Sequence, residues 1–304
     1  MKLSDRSTIV DQAAGTTHGV SWPTRLRWAP TLGVLAIMAV FGPALSPAIR
    51  LALASIVLYS SFKFAAIMKQ RSVLPDLSPE AWLWYLTVWP GMDLTRFRET
   101  KRSTEADPRW LARGLAGITL GAATLTAATI IGVGPVLGGW LTVAGLLLLV
   151  HFGYADVLSW TMRRRGFPVR RLFNPPEKST SLNDFWTRRW NVAFVEMDLV
   201  LFMPRLRRIS PRLAPFLMLL LSGVLHELAI SYPAGAGWGL PLLYFAIHGA
   251  GMQVERTKWF AGRSALFTRW WARVLVLAPV PLVFHRPFRD ALPLELLLLL
   301  KGIQ

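Results

Sequence analysis

His226 is the residue of this 304-residue chain best placed to do chemistry. It lies in Leu221-Ser222-Gly223-Val224-Leu225-His226-Glu227-Leu228, near the middle of a strongly apolar run. Ionisable groups inside such runs are costly and mark functional sites. Apolar surroundings disfavour the imidazolium, so a neutral ring is expected. A neutral imidazole can take a proton from a hydroxyl, which is the act of a general base. The competing reading is a packing histidine bonded to a neighbouring helix. Glu227 points ~100° away from His226 on a helix, so it reads as a partner for a buried Arg or for another helix. Ser222 stands one turn earlier on the same face as His226. A Ser–His nucleophilic pair is one reading of it, and a hydroxyl bonded to its own helix backbone is the other. The H-E-x-x-H zinc signature fails at Ile230, and no metal is expected.

A second constellation is Phe185-Trp186-Thr187-Arg188-Arg189-Trp190-Asn191. Two Trp and two Arg in seven residues suit an interfacial helix against anionic lipid. They equally suit an acyl-CoA, with Arg188 and Arg189 on phosphates and Trp186 and Trp190 on the adenine or the thioester end. Asn191 is neutral and can both donate and accept, so its amide could hold a thioester carbonyl or an acceptor hydroxyl. Other ionisable residues in or beside apolar runs are Lys63, His151, Asp156, His248 and Glu255.

The elements that must position these residues are membrane helices. Apolar residues make up 53% of the chain, in long runs rather than amphipathic stripes, and mean hydropathy is +0.40. A span needs ~20 mostly apolar residues. Candidates are Trp28–Leu45, Leu51–Met68, Leu111–Ile131, Gly134–Trp160, Leu213–Tyr232, Trp238–Val254, Trp270–Phe284 and Ala291–Leu300, the last two being short. Ala81–Met92 is aromatic and too short, so it reads as interfacial or re-entrant, ending at Pro90-Gly91. The expected fold is all-α: a polytopic transmembrane bundle of about eight spans with interfacial or re-entrant helices. Residues 1–27 read as a cytosolic tail, and residues 28–304 as a single membrane-embedded domain. Within it, 163–212 is a basic cytosolic or interfacial segment carrying the Asn motif.

Net charge is +17, from 34 basic and 17 acidic residues. The basic residues sit between apolar runs rather than on a separate domain, so nucleic acid is not the expected partner. Placing the basic links in the cytosol gives a path with both termini inside. Arg50, Arg286 and Arg289 are exceptions on the far side. Many of the 14 Trp flank the runs, as interfacial anchors do. Gly117 and Gly121 are spaced for close helix packing. Cys is absent, which excludes disulfides, thiolate metal sites and a Cys nucleophile. The dominance of Arg and the lack of Cys point to a bacterial source, hence to a bacterial cytoplasmic membrane.

Asn191 in its Phe-Trp-x-Arg-Arg-Trp-Asn context, followed by buried His226 in Ser-Gly-x-x-His-Glu-Leu, resembles the membrane-bound O-acyltransferase superfamily. The wax-synthase-like branch, the long-chain-alcohol O-fatty-acyltransferases, is the nearest in pattern. Leu172-Phe173-Asn174-Pro175-Pro176 resembles that branch too, as does Trp89-Pro90-Gly91-Met92-Asp93. The likeness is densest from His151 to Arg256. It implies that Asn191 and His226 are the catalytic pair, on either side of a tunnel, with acyl-CoA arriving from the cytosol. The acceptor would bear a hydroxyl, could be lipid-like, and would come from the lipid or the far side. Trp186, Arg188, Arg189, Trp190, Ser222, Glu227 and His248 are the expected substrate-binding residues. Where wax synthases often carry Gln, this chain reads Phe245-Ala246-Ile247-His248-Gly249. No resident cofactor is expected, acyl-CoA being a co-substrate. His151 and Asp156 form an H-x-x-x-x-D pattern that resembles the pair of glycerol-phosphate acyltransferases. Residues five apart align poorly on a regular helix, so packing is the preferred reading. The rival functions are a lipid or small-solute transporter and a non-catalytic lipid-binding membrane protein. No inverted repeat of the transporter kind is present in the sequence.

Overall fold

The computed structural model describes residues 36, 42–98, 105–130 and 134–291. Every regular element among them is helical. Among the described residues five helices are long and apolar enough to cross a membrane: Pro47–Lys69 (α1), Pro108–Ala128 (within α3, Pro108–Ile130), Pro135–Arg164 (α4), Ala214–Ala234 (α7) and Ala265–Val283 (α10). Between them lie Pro79–Thr87 (α2), Leu182–Asp184 continued by a π-helical Phe185–Arg189 (α5), and Val192–Met197 running through Asp198–Phe202 into Met203–Ile209 (α6). Leu240–Val254 (α8) and Lys258–Ala261 (α9) precede α10. This composition marks an integral, multi-pass membrane protein.

Five of the eight expected runs form helices of spanning length among the described residues, and a count of eight is not confirmed. Trp238–Val254 yields only the 15 residues of α8, about 22 Å of helix against a ~30 Å hydrocarbon core. Gly235, Gly237 and Gly239 all adopt positive φ, a conformation open to Gly, and these turns delay the helix to Leu240. Trp270–Phe284 falls within α10, which breaks at Ala278–Pro279. Trp28–Leu45, Ala291–Leu300 and the tail 1–27 lie almost wholly outside the described residues.

Local chemistry sets the helix starts. Ser46 and Ser78 cap α1 and α2, each followed by Pro at the first helical position, where a missing N–H costs nothing. Ser181 caps α5 through Asp184 N, and Asn191 caps α6 through Phe194 N. The short aromatic segment expected at Ala81–Met92 folds as α2 and then a loop that packs inward. Tyr85, Trp89, Phe97 and Phe167 are fully buried there, and the Lys63 ammonium takes the carbonyls of Trp89 and Gly91 at 2.8 and 2.7 Å.

Glycines bring the long helices into backbone contact. A Cβ on Gly117 would sit 2.8 Å from Gly153 N, and one on Gly121 would sit 2.6 Å from Leu149 N. The small-residue spacing therefore lays α3 directly against α4. A Cβ on Gly223 would lie 2.9 Å from the Leu242 Cα, joining α7 to α8. The three exceptions to the charge pattern are engaged locally. Arg50 donates to the Leu45 and Tyr232 carbonyls, Arg289 lies 4.0 Å over the Trp140 ring, and Arg286 pairs with Asp290.

Candidate active site

Among the described residues four stretches are π-helical: Leu147–Tyr154, Phe185–Arg189, Asp198–Phe202 and Glu227–Ser231. The first contains His151, the second contains Trp186, Arg188 and Arg189, and the fourth begins immediately after His226. Widened turns of this kind recur at functional sites, because they turn side chains out of register with the helix.

His226 is the last α-helical residue of α7 before its π turn. Its Nδ1 lies 2.7 Å from the Ser222 carbonyl oxygen. A carbonyl only accepts, so Nδ1 carries the hydrogen and Nε2 keeps the lone pair. The contact runs through the main chain of Ser222 and not through its hydroxyl. The Phe245 ring packs 4.4 Å from the imidazole. Protein surrounds His226 closely, yet part of its surface stays accessible.

Glu227 does not orient His226. Its Oε1 accepts from Gly239 N at 3.0 Å and Leu242 N at 2.9 Å, holding the start of α8. At the other end of α8, Glu255 accepts from Leu182 N and Asn183 N at 2.6 and 2.9 Å, which holds the start of α5. Desolvation raises the Glu255 carboxyl above the usual range, against those two N–H donors. One helix thus fixes the distance between the His226 turn and the Trp–Arg motif.

The motif itself forms an aromatic chain. Trp186 packs on Phe245 (5.4 Å), which touches His226. Phe185 lies 5.0 Å from Trp186 and stacks on Trp190 at 5.5 Å. Trp190 stacks in turn on His151 at 5.9 Å. His248 sits behind this row with no exposure, its Nε2 donating to Leu275 O at 2.7 Å and its ring against Tyr244 and Trp186. It therefore supports Trp186.

Asn191 adopts φ 45°, ψ 64°, a left-handed conformation that Asn tolerates better than most residues. Its Oδ1 accepts from Phe194 N at 3.2 Å, and its amide nitrogen has no partner among the described residues. The two arginines differ. Arg189 pairs with Asp184 at 2.6 Å and donates to Pro175 O at 3.0 Å, while Arg188 is exposed. Burial pushes the Asp184 carboxyl up, but the hydrogen bonds from Arg189 and the Thr180 backbone and the charges of Arg189 and Arg188 together outweigh it, and the net direction is down.

The H-x-x-x-x-D residues part company. Asp156 is gripped by Arg171 through two guanidinium nitrogens, Nε and Nη2, while His151 turns to Trp190 and Phe173. Beside them a cavity of about 150 Å³ is lined by Arg113, Phe152, Asp156, Arg171, Phe173 and Glu177. Phe152 and Phe173 form its inner wall and also pack on Trp190.

The family match falls on this same region. A family model described as the membrane bound O-acyl transferase family matches residues 169–247, a stretch that contains both Asn191 and His226. Probable long-chain-alcohol O-fatty-acyltransferase 7 of Arabidopsis thaliana is 32% identical over 115 residues, covering 34% of this chain and 33% of that protein. Probable long-chain-alcohol O-fatty-acyltransferase 1 of the same plant is 32% identical over 111 residues, covering 31% and 32%. The match spans about a third of these relatives' length. Both are plant proteins and lend no support to the bacterial membrane expected from arginine usage. These matches bear out the resemblance read from the sequence, to the membrane-bound O-acyltransferase family and its wax-synthase-like branch.

Proposed function

We propose that this protein moves an acyl group from acyl-CoA to an acceptor hydroxyl, in the manner of a wax-ester synthase, with His226 as general base. The observation that carries the reading is the tautomer of His226. With Nδ1–H held on the Ser222 carbonyl, the Nε2 lone pair is free to take the hydroxyl proton as the oxygen attacks the thioester carbon. The new C–O bond forms, the C–S bond breaks and CoA leaves. Base catalysis of this kind is worth ~10²–10⁴-fold.

Asn191 supplies a donor from its free amide nitrogen to the thioester oxygen. Trp186 and Trp190 line the path of the acyl donor, and exposed Arg188 takes a CoA phosphate. Glu227 and Arg189 act through the backbone they hold. Residues 28–304 form one membrane-embedded catalytic domain, and the acceptor, a long-chain alcohol or similar lipid, reaches it from the bilayer. The protein needs no resident cofactor or metal for these steps.

The test is purified full-length protein in detergent with palmitoyl-CoA and hexadecanol, following free CoA thiol and ester together. Equimolar thiol and ester are expected. No thiol release with hexadecanol, shorter alcohols or a sterol would remove the acyltransferase reading.

A further inference from the structure

The cavity on the basic side of the fold has charged walls that the proposed chemistry leaves unused. Arg113 comes from the start of α3, Asp156 from the end of α4, and Arg171 and Glu177 from the loop that follows. Phe152 and Phe173 close its inner end. At about 150 Å³ it matches a cavity that takes one benzene-sized group. A single terminal phosphate fits such a space, whereas a whole nucleotide does not.

The charges are arranged to donate. Arg171 and Asp156 are both buried. Nε and Nη2 of Arg171 engage the two oxygens of Asp156, and Nη1 has no hydrogen-bond partner among the described residues. The Trp110 ring packs 5.7 Å from the same guanidinium. Arg113 stands exposed at the mouth, 3.9 Å from the Glu177 carboxylate. That separation is too long for a hydrogen bond. Both side chains are at least half exposed, so the pair is weak and open to exchange. A guanidinium holds a phosphate more firmly, through two parallel N–H donors.

Printed contacts tie this cavity to the path assigned to the acyl donor. Phe152 and Phe173 pack on Trp190 at 6.0 and 5.2 Å. The loop 173–177 is bonded to the Trp–Arg motif. The Asn174 amide donates to Arg188 O at 2.7 Å, Asn174 N to Arg189 O at 2.9 Å, and Arg189 to Pro175 O at 3.0 Å. The backbone of Arg188 is thus one hydrogen bond from the loop that lines the cavity.

We propose that this cavity binds a phosphate monoester, the 3′-phosphate of the CoA donor, between Arg113 and Arg171, with Glu177 as the anion it displaces. The inference rests on the acyl-transfer reading above. CoA carries a diphosphate as well, but that group is substituted at both ends and needs a groove. The terminal monoester suits a closed space, so exposed Arg188 and the cavity serve different phosphates of one ligand. A phosphorylated lipid headgroup offers the same chemistry and is separated in the test.

Dephospho-CoA lacks only the 3′-phosphate. Purified full-length wild type, Arg113→Ala and Glu177→Gln are compared on palmitoyl-CoA and palmitoyl-dephospho-CoA with hexadecanol, with melts run in parallel. Wild type is expected to show a KM about 10-fold lower for palmitoyl-CoA than for the dephospho donor. Arg113→Ala should erase that preference, and Glu177→Gln, which removes the competing anion, should widen it. The KM for the dephospho donor, kcat and the melts should stay as in wild type. Added phosphatidic acid should leave the wild-type preference unchanged, and a preference erased by it would give the cavity to a lipid headgroup instead. Equal KM for the two donors in wild type, or an Arg113→Ala loss shared by both, would overturn the phosphate site while leaving the enzyme reading intact. A wild type inactive on both donors would remove the enzyme reading, and this site with it.

Discussion

The Glu227 carboxylate reaches past its neighbour His226 to take the backbone N–H of Leu242, 2.9 Å away. Phe245, less than one turn beyond Leu242, is the ring that packs on His226. The residue after the proposed base therefore holds the helix that walls the base in. Hydrogen bonds to a charged group are worth ~1.5–3 kcal/mol. Glu227→Ala should lose about that much stability in a detergent melt and most of its turnover, while Glu227→Gln, which keeps an acceptor oxygen, should retain both better. Equal melts for the two variants would contradict the brace.

Asn191 has two separable duties. Its Oδ1 caps α6, and its amide nitrogen is the proposed donor to the thioester. Asn191→Asp keeps the cap and removes the donor, so it should fold normally and lose ~10²–10³-fold in kcat. Asn191→Ala should lose in addition ~1 kcal/mol of stability for the cap. Melting curves beside initial rates separate the two effects.

The adjacent arginines should behave differently. Arg188 is exposed and is assigned to substrate phosphate, so Arg188→Ala should raise KM for acyl-CoA several-fold with an unchanged melt. Arg189 is tied to Asp184 and Pro175, so Arg189→Ala should lower the melting temperature first. The reverse pattern would exchange their roles.

Glu196 gives the fold a pH dependence of known sign. Burial pushes its carboxyl up to about 7, with nearby Asp93 adding to the shift and Arg96 opposing it. Because the folded value lies above the ordinary 4.5, the unfolded chain releases this proton first. The stability linked to Glu196 is full below pH ~4.5, falls as pH rises toward about 7, and is level above. Its size is on the order of 3 kcal/mol. Glu196→Gln should flatten that slope in melts between pH 5 and 8, and an unchanged slope would assign it to another group.

Much of this arrangement is legible from residues alone. The apolar runs mark α1, α3, α4, α7 and α10, and the Trp–Arg–Asn and Ser-Gly-x-x-His-Glu patterns mark the two sides of the proposed site. The setting of His151 is not legible: it stacks on Trp190 from a π turn that has no hydropathy signature. The same holds for Asp156, whose partner Arg171 lies beyond the end of the helix, so a local spacing pattern suggests His151 instead. α8 is shorter than its apolar run because Gly235 to Gly239 form turns. Apolarity gives no sign of that, whereas the clustered glycines do.

The most direct measurement is CoA thiol release by His226→Gln beside wild type, with melts run in parallel. Gln can occupy the site but has no basic nitrogen. Turnover down ~10²–10⁴-fold with an unchanged melting temperature is the predicted result. Turnover within a few-fold of wild type would contradict the assignment of His226 as the base.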